Sequence, residues 1–275
     1  NINMKNSTIS FIGAGNMATS LIKGLLKEGY LAKNIWATNN NLAQLNKLKR
    51  LNINLSADNR CAVKMADIVI LAVKPQVLKS VVTEIADLIR ENKPLVISIA
   101  VGINLKSLQN YLSNETAALI RCMPNTPALL ACGATGLFAN RYCSSAQKNA
   151  AELIFRSVGI VVCLAEEEQI DIVAALSGSG PAYFFLLMEV LQLAGIELGL
   201  SKENAALLTL QTALGAARMA NESKQSIQQL KQNVTSPGGT TERALEILDN
   251  AHFPDLIKQA IKGAKERAEE LAKCF

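Results

Sequence analysis

Gly13, Gly15 and Ala18 form a GxGxxA pattern inside TISFIGAGNMATSLIKGLL, directly between a β-branched run and a helical pattern. Each position has a physical use. Gly13 permits a tight turn, Gly15 lets the backbone approach a pyrophosphate, and Ala18 allows close contact between helix and strand. The helix start adds unpaired N–H donors and a favourable dipole. The pattern predicts a dinucleotide site, against the plainer reading of a glycine turn needed only for packing. The end of the next strand, ATNNN, selects among dinucleotides, because NAD enzymes place a carboxylate there to hold the ribose 2′-hydroxyl. Asn39, Asn40 and Asn41 would not repel a 2′-phosphate, so NADPH is the expected cofactor and NADH stays compatible. Two more loops, AVKPQ (residues 72–76) and MPNTPA (residues 123–128), lie at predicted carboxyl ends of strands, where ligands of open α/β sheets bind, and are placed to shape the nicotinamide pocket.

A second anion site is expected far along the chain, in NVTSPGGTTERALEIL. Here Gly238 and Gly239, with the hydroxyls of Ser236, Thr240 and Thr241, precede a helix. Free N–H groups, glycines that admit a ligand and hydroxyl donors make an uncharged cradle for a carboxylate. The competing reading is a plain loop with Thr240 or Thr241 as helix cap. SGSGP (residues 177–181) looks similar, but Pro181 suits the first turn of a helix, and a structural junction is expected there. No lysine follows from Pro181 through Leu200, where a hydroxyacid dehydrogenase would be expected to place its proton-transfer residue. The single histidine, His252, stands just before Pro254 in AHFPD and reads as a loop or cap residue. A substrate arriving as a protonated imine needs only hydride delivery and charge positioning, so a site poor in acids and bases is adequate.

The elements that must hold these residues follow from periodicity. TISFIG, the helical stretch 16–28, IWATN, an amphipathic stretch 42–51, a further helical piece and DIVILAV alternate as βαβ units. DIVILAV and PLVISIA are apolar at nearly every position, as strands covered on both faces require, which predicts a parallel, doubly wound sheet. Further strands are expected at AALIRCM, GATGLFA and GIVVCLA, the last two separated by a helix near 144–157. Beyond residue 165 the pattern is helical throughout. The reading is an α/β Rossmann-like domain over 1–165 followed by an all-α domain over 166–275. The helix at 182–200 is apolar around most of its circumference, and burial across a homodimer interface is the economical explanation, against a compact monomeric bundle.

Composition narrows the class. The chain has 275 residues, is 49% hydrophobic and can bury a sizeable core. The longest apolar candidate, residues 182–200, carries Glu189, Gln192 and Glu197, short of the about 20 charge-free residues a bilayer span needs, so no membrane association is expected. NINMKNSTIS lacks the apolar centre of a secretion signal, which favours the cytoplasm. Residues 1–165 hold 18 Lys and Arg against 8 Asp and Glu, while the remainder holds 10 against 15, so the first part favours anions. With 4% aromatic residues and no basic run, a phosphate-bearing cofactor fits better than nucleic acid. The six cysteines show no CxxC spacing, so no metal site is expected and most are read as small buried thiols.

Taken together and in order, IGAGNMA, AVKPQ, MPNTPA, SGSGPAYFF and NVTSPGGTTERALEIL resemble the pyrroline-5-carboxylate reductase family over nearly the whole chain. The resemblance implies reduction of L-Δ1-pyrroline-5-carboxylate to L-proline with NAD(P)H, by a dinucleotide-binding domain joined to an all-helical dimerisation domain, as a homodimer or a higher homo-oligomer built from dimers. Carried over by motif, it implies that Gly13, Ala14, Gly15, Asn16 and Met17 hold the cofactor phosphates and Asn39 the adenosine end. It implies further cofactor contacts from Asn59, Ala72, Val73, Lys74 and Pro75, and from Asn233 on the SPGG side. Thr240 and Thr241 would bind the substrate carboxylate, with Thr241 the central group and Ser236 and Gly239 completing the loop. Glu166 would lie near the substrate, although a run of three glutamates equally suits a solvated helix start. The alternatives are another NADP-dependent dehydrogenase of the β-hydroxyacid type and a non-catalytic dinucleotide-binding sensor.

Overall fold

The computed structural model describes residues 6–273; residues 1–5, half of the NINMKNSTIS segment, and Cys274 lie outside the described residues. The chain divides into two compact units, Asn1–Ser179 with Ala264–Phe275, and Gly180–Gly263.

The described residues of the first unit form one sheet from β1 (Ile9–Ile12), β2 (Ile35–Thr38), β3 (Asn54–Ser56), β4 (Ile68–Leu71), β5 (Leu95–Ser98), β6 (Leu119–Met123), β7 (Gly133–Ala139) and β8 (Gly159–Cys163), in the order β3-β2-β1-β4-β5-β6-β7-β8. Its central strands β1, β4 and β5 are buried at every position. Alternate side chains feed two cores. Phe11, Ile70 and Ile97 meet the apolar stripes of α1 (Asn16–Lys27), α2 (Leu42–Leu48) and α6 (Ser145–Arg156) on one face. Val69, Leu71 and Val96 meet α3 (Asn59–Val63), α4 (Pro75–Asn92) and α5 (Leu105–Leu112) on the other. Leu78, Val82, Ile85 and Ile89 show the reason α4 is a helix, since their spacing puts four buried side chains on one stripe. Each such side chain contributes about 1.5–3 kcal/mol through the apolar area it buries.

The sequence pattern predicts a wholly parallel sheet, and the structure departs from that at one place. β7 runs antiparallel to β6, and β8 parallel to β7. The segment between Met123 and Gly133 is too short for a parallel crossover, which takes about a dozen residues. β3 and α5 have no counterpart in the sequence reading; β3 is a polar three-residue edge strand with almost no periodicity to detect. The stretch 42–51 becomes α2 followed by a 3-10 turn, Lys49–Leu51, closed by Asn52 at φ 54°.

The expectation that most cysteines are buried fails. Cys122 and Cys143 are buried, whereas Cys61 in α3, Cys132 before β7 and Cys163 at the end of β8 are exposed. The Cys163 thiol donates to Glu152 Oε1 at 3.0 Å, and desolvation together with that carboxylate raises it to about 11. Iodoacetamide is therefore expected to modify Cys163 slowly near pH 7, with the rate climbing toward pH 11 and E152Q accelerating it, because the thiolate is the nucleophile. Rapid labelling of Cys163 at neutral pH in a mass-spectrometric time course would overturn this.

α7 (Gln169–Val173) runs on through a π-helical turn, Ala174–Gly178, into the long helix of the second unit, α8 (Gly180–Glu197). The helical run Gln169–Glu197, 29 residues long, contains an 18-residue stretch of mean hydropathy 1.5 with at most two charges, long and apolar enough by length and composition to cross a bilayer, which the stricter charge-free count on the sequence does not register. The second unit continues with α9 (Lys202–Glu222), which packs on α8, then α10 (Ile227–Asn233), α11 (Thr240–Asn250) and α12 (Phe253–Lys273), whose last residues belong to the first unit. α8 leaves Phe184 64% and Phe185 65% exposed, and Leu207, Leu208 and Leu214 of α9 are exposed as well. A single copy thus presents apolar helix faces of the kind that cover one another in oligomers. His252 sits at φ 55° in the turn before α12, with its carbonyl accepting from Asp255 and Leu256, so it is a turn residue.

Candidate functional site

The glycine turn between β1 and α1 is built as its spacing requires. Gly13 adopts φ +99°, and a Cβ there would stand 2.7 Å from the carbonyl oxygen of Ala72 and 2.8 Å from Val73 Cγ1. The N–H groups of Gly13 and Ala14 both donate to the carbonyl of Thr38, at 3.1 and 2.8 Å. These two residues shape the turn, and the amides that open α1, from Asn16 on, are the ones without helical acceptors. Gly15 is exposed, with nothing within 4 Å of where a Cβ would lie, so this surface leaves room for a phosphate group to reach the backbone. Ala18 is fully buried against the sheet.

Around that turn the strand ends bring the other predicted cofactor residues together. Thr38 Oγ1 donates to Asn59 Oδ1 at 2.7 Å, which joins the end of β2 to the start of α3. Asn39 Oδ1 accepts from the Asn41 amide, and Asn41 Oδ1 caps α2 through the Ala43 amide. The asparagines thus form a turn without a carboxylate. Ala72 donates to the Ile12 carbonyl, Lys74 caps α4 with its side chain exposed, and Pro75 occupies the first helical turn. These residues form one rim along the carboxyl ends of β1, β2 and β4, to which β6 adds its MPNTP loop.

In the second unit, Asn233 ends α10 and its Nδ2 donates to Gln225 Oε1 at 3.0 Å. The N-cap of α11 is Gly239, so neither threonine caps the helix: Thr240 and Thr241 are its first two residues. Gly238 turns the loop at φ +72° and donates to Glu242 Oε2 at 2.7 Å, and Gly239 donates to the Ser236 carbonyl at 2.9 Å. The start of α11 keeps unpaired amides beside two hydroxyl-bearing side chains, an arrangement able to hold a carboxylate.

The sequence reading missed Arg121. It lies buried in β6, where Nη2 meets Asp171 Oδ1 at 2.7 Å and Nη1 meets Glu167 Oε1 at 3.4 Å. Glu167 also accepts from the Leu105 amide at 2.7 Å, while its neighbour Glu166 is exposed. Desolvation raises the Glu167 carboxyl above its ordinary range, opposed by Leu105 and Arg121. One signal was present: an arginine inside the apolar run AALIRCM demands carboxylates, and EEEQID supplies them.

A doubly wound sheet, a glycine turn open to a phosphate and a second strand without a terminal carboxylate define a dinucleotide-dependent oxidoreductase of the Rossmann class. Residues 167–271 match the family described as pyrroline-5-carboxylate reductase dimerisation, and residues 8–102 that described as NADP oxidoreductase coenzyme F420-dependent. A pyrroline-5-carboxylate reductase of Pseudomonas aeruginosa is 47% identical over 270 residues, 98% of each chain. A solved pyrroline-5-carboxylate reductase of Coxiella burnetii superposes at TM-score 0.92 with 48% identity, covering 97% of this chain and 98% of that one. The Plasmodium falciparum pyrroline carboxylate reductase, solved with NADP bound, gives 0.87 and 32%, covering 98% and 100%. The chain belongs to the pyrroline-5-carboxylate reductase family.

Proposed function

We infer that this protein reduces L-Δ1-pyrroline-5-carboxylate to L-proline with NAD(P)H, closing proline synthesis, in the cytoplasm and as a homodimer or a higher homo-oligomer built from dimers. The observation that carries the reading is identity of 47% along 98% of a curated reductase. The dehydrogenase and sensor alternatives have no comparable support. In functional terms, residues 1–165 hold the dinucleotide and residues 166–275 supply dimerisation and substrate binding.

NAD(P)H supplies the hydride. The chain's part is positioning. The amides and turn of Gly13, Ala14, Gly15, Asn16 and Met17 take the phosphates. Asn39 holds the adenosine end, in a turn of asparagines that does not repel a 2′-phosphate, and Asn59 adds a further cofactor contact. Ala72, Val73, Lys74 and Pro75 line the path to the nicotinamide, which the MPNTP loop helps shape, and Asn233 reaches the cofactor from the SPGG side. Ser236, Gly239, Thr240 and Thr241 hold the substrate carboxylate at the start of α11, and Glu166 stands near the substrate. The carbon of the protonated imine accepts hydride while its nitrogen keeps its proton, so no side-chain acid is required in that step.

Loss of NADPH absorbance on adding pyrroline-5-carboxylate, with NADH in parallel, tests the reading; oxidation with proline formed supports it, and silence with both cofactors in folded protein sinks it. For Thr241→Ala we expect substrate KM to rise about tenfold, one charge-assisted hydrogen bond being worth about 1.5 kcal/mol, with NADPH affinity within twofold of the parent. Unchanged kinetics would remove Thr241 from carboxylate binding.

A further inference from the structure

Asn125, third residue of the MPNTP loop, is buried and uses both ends of its amide. Its Oδ1 accepts from the Ala134 amide at 2.8 Å, at the start of β7, and its Nδ2 donates to the carbonyl of Ser177 at 3.0 Å, inside the π-helical turn. The second bond answers a specific deficit. In an α-helix the Ser177 carbonyl would accept from the residue four positions on, which is Pro181 and has no N–H. A proline ring also crowds the carbonyl four residues before it. The turn Ala174–Gly178 relieves that crowding by widening, with the Ser179 amide donating to Ala174 at 2.8 Å across five residues. Side-chain contacts reinforce the apposition: positions next to Gly178 and Gly136 are filled by Met123 Cε and by Val173. Wide turns of this kind occur mostly at functional sites.

We propose that Asn125 is a positioning residue for hydride transfer: its amide replaces the helical donor that Pro181 lacks, and so fixes the MPNTP loop between β7 and the π-turn. The proposal rests on the reading that this loop shapes the nicotinamide pocket. Asn125 acts through the loop backbone, whose Ala128 amide in turn donates to its carbonyl at 3.2 Å, and not by touching a reacting atom.

Asn125→Asp keeps the acceptor for Ala134 and removes the donor to Ser177. We expect its kcat for pyrroline-5-carboxylate to fall about tenfold while the NADPH dissociation constant and substrate KM stay within twofold. Adding Pro181→Ala restores a backbone N–H for Ser177, and N125D/P181A is expected to recover most of the lost kcat. A residue that merely stabilised the fold would lower Tm without separating kcat from KM. N125D turnover within twofold of the parent, or a deficit that P181A leaves untouched, would overturn the proposal. Should N125D alone not fold, a folded and active N125D/P181A carries the same support, and failure of both to fold counts against it. Non-additive Tm shifts in the four-variant cycle read the bond directly. A wild type silent on pyrroline-5-carboxylate would sink the functional reading, whereas additive Tm shifts would sink the Asn125 bond, so the two failures are told apart.

Discussion

Arg121→Ala is expected to lower stability by about 3–5 kcal/mol, because it strands two carboxylates on a buried surface. The Arg121 side chain is 3% exposed, and Asp171 and Glu167 are 13% and 23% exposed. A fall in Tm on the order of 10 °C at neutral pH should be visible by circular dichroism. The pH dependence has a definite sign. Burial holds the Glu167 carboxyl above its ordinary 4.5, with Arg121 pulling it down. Without Arg121 it rises further, so the variant's native state takes up a proton that the parent's does not. The gap between parent and variant should shrink as pH falls from 7 toward that range, where Glu167 neutralises, and widen again above it. A variant melting within about 2 °C of the parent at pH 7 would show that Arg121 does not hold α7 to the sheet.

Gly13→Ala should disrupt the turn that serves the cofactor phosphates. Its Cβ would enter at 2.7 Å from the Ala72 oxygen, a backbone atom that cannot swing aside, on a residue held at φ +99°. Left-handed strain costs about 1–3 kcal/mol, and relief of the overlap must move either the turn or the AVKP segment. Both border the predicted phosphate path. NADPH affinity is expected to drop roughly 100-fold or more, measured by fluorescence titration, while the isolated carboxylate cradle of α11 stays intact. Gly15→Ala makes the contrast, since its Cβ meets nothing within 4 Å and would strain no backbone; its penalty should appear in cofactor binding with Tm unchanged. Equal Tm losses in both variants would contradict the division of roles.

Much of this was legible in the sequence for a physical reason. Parallel strands buried on both faces must be apolar at almost every position, so DIVILAV and PLVISIA could not be mistaken for half-exposed strands, and GxGxxA marked the turn that serves a phosphate. The antiparallel step at β6–β7 was not legible, because strand direction there depends on the length of one connection and not on residue pattern. Cysteine exposure was misjudged for a similar reason: Cys163 lies in a strongly apolar run, but that run is the edge strand. Which residue caps α11 stood open between Thr240 and Thr241, and backbone geometry gives that place to Gly239. Asn125 and Pro181 stood in two separate motifs, and only the fold showed one amide completing the other's missing donor.

The closing turns of α12 return to the sheet-bearing unit, where Leu271 Cβ comes within 3.1 Å of the space beside Gly102. In topological terms the helical unit is an insertion, since the chain leaves the first unit at Ser179 and re-enters it at Ala264. Both crossing points fall inside continuous helical runs, Gln169–Glu197 and Phe253–Lys273. Exchange of helical units between homologous reductases therefore calls for two crossovers in helical register, and a cassette joined at one junction would carry a carboxyl-terminal segment matched to the wrong sheet.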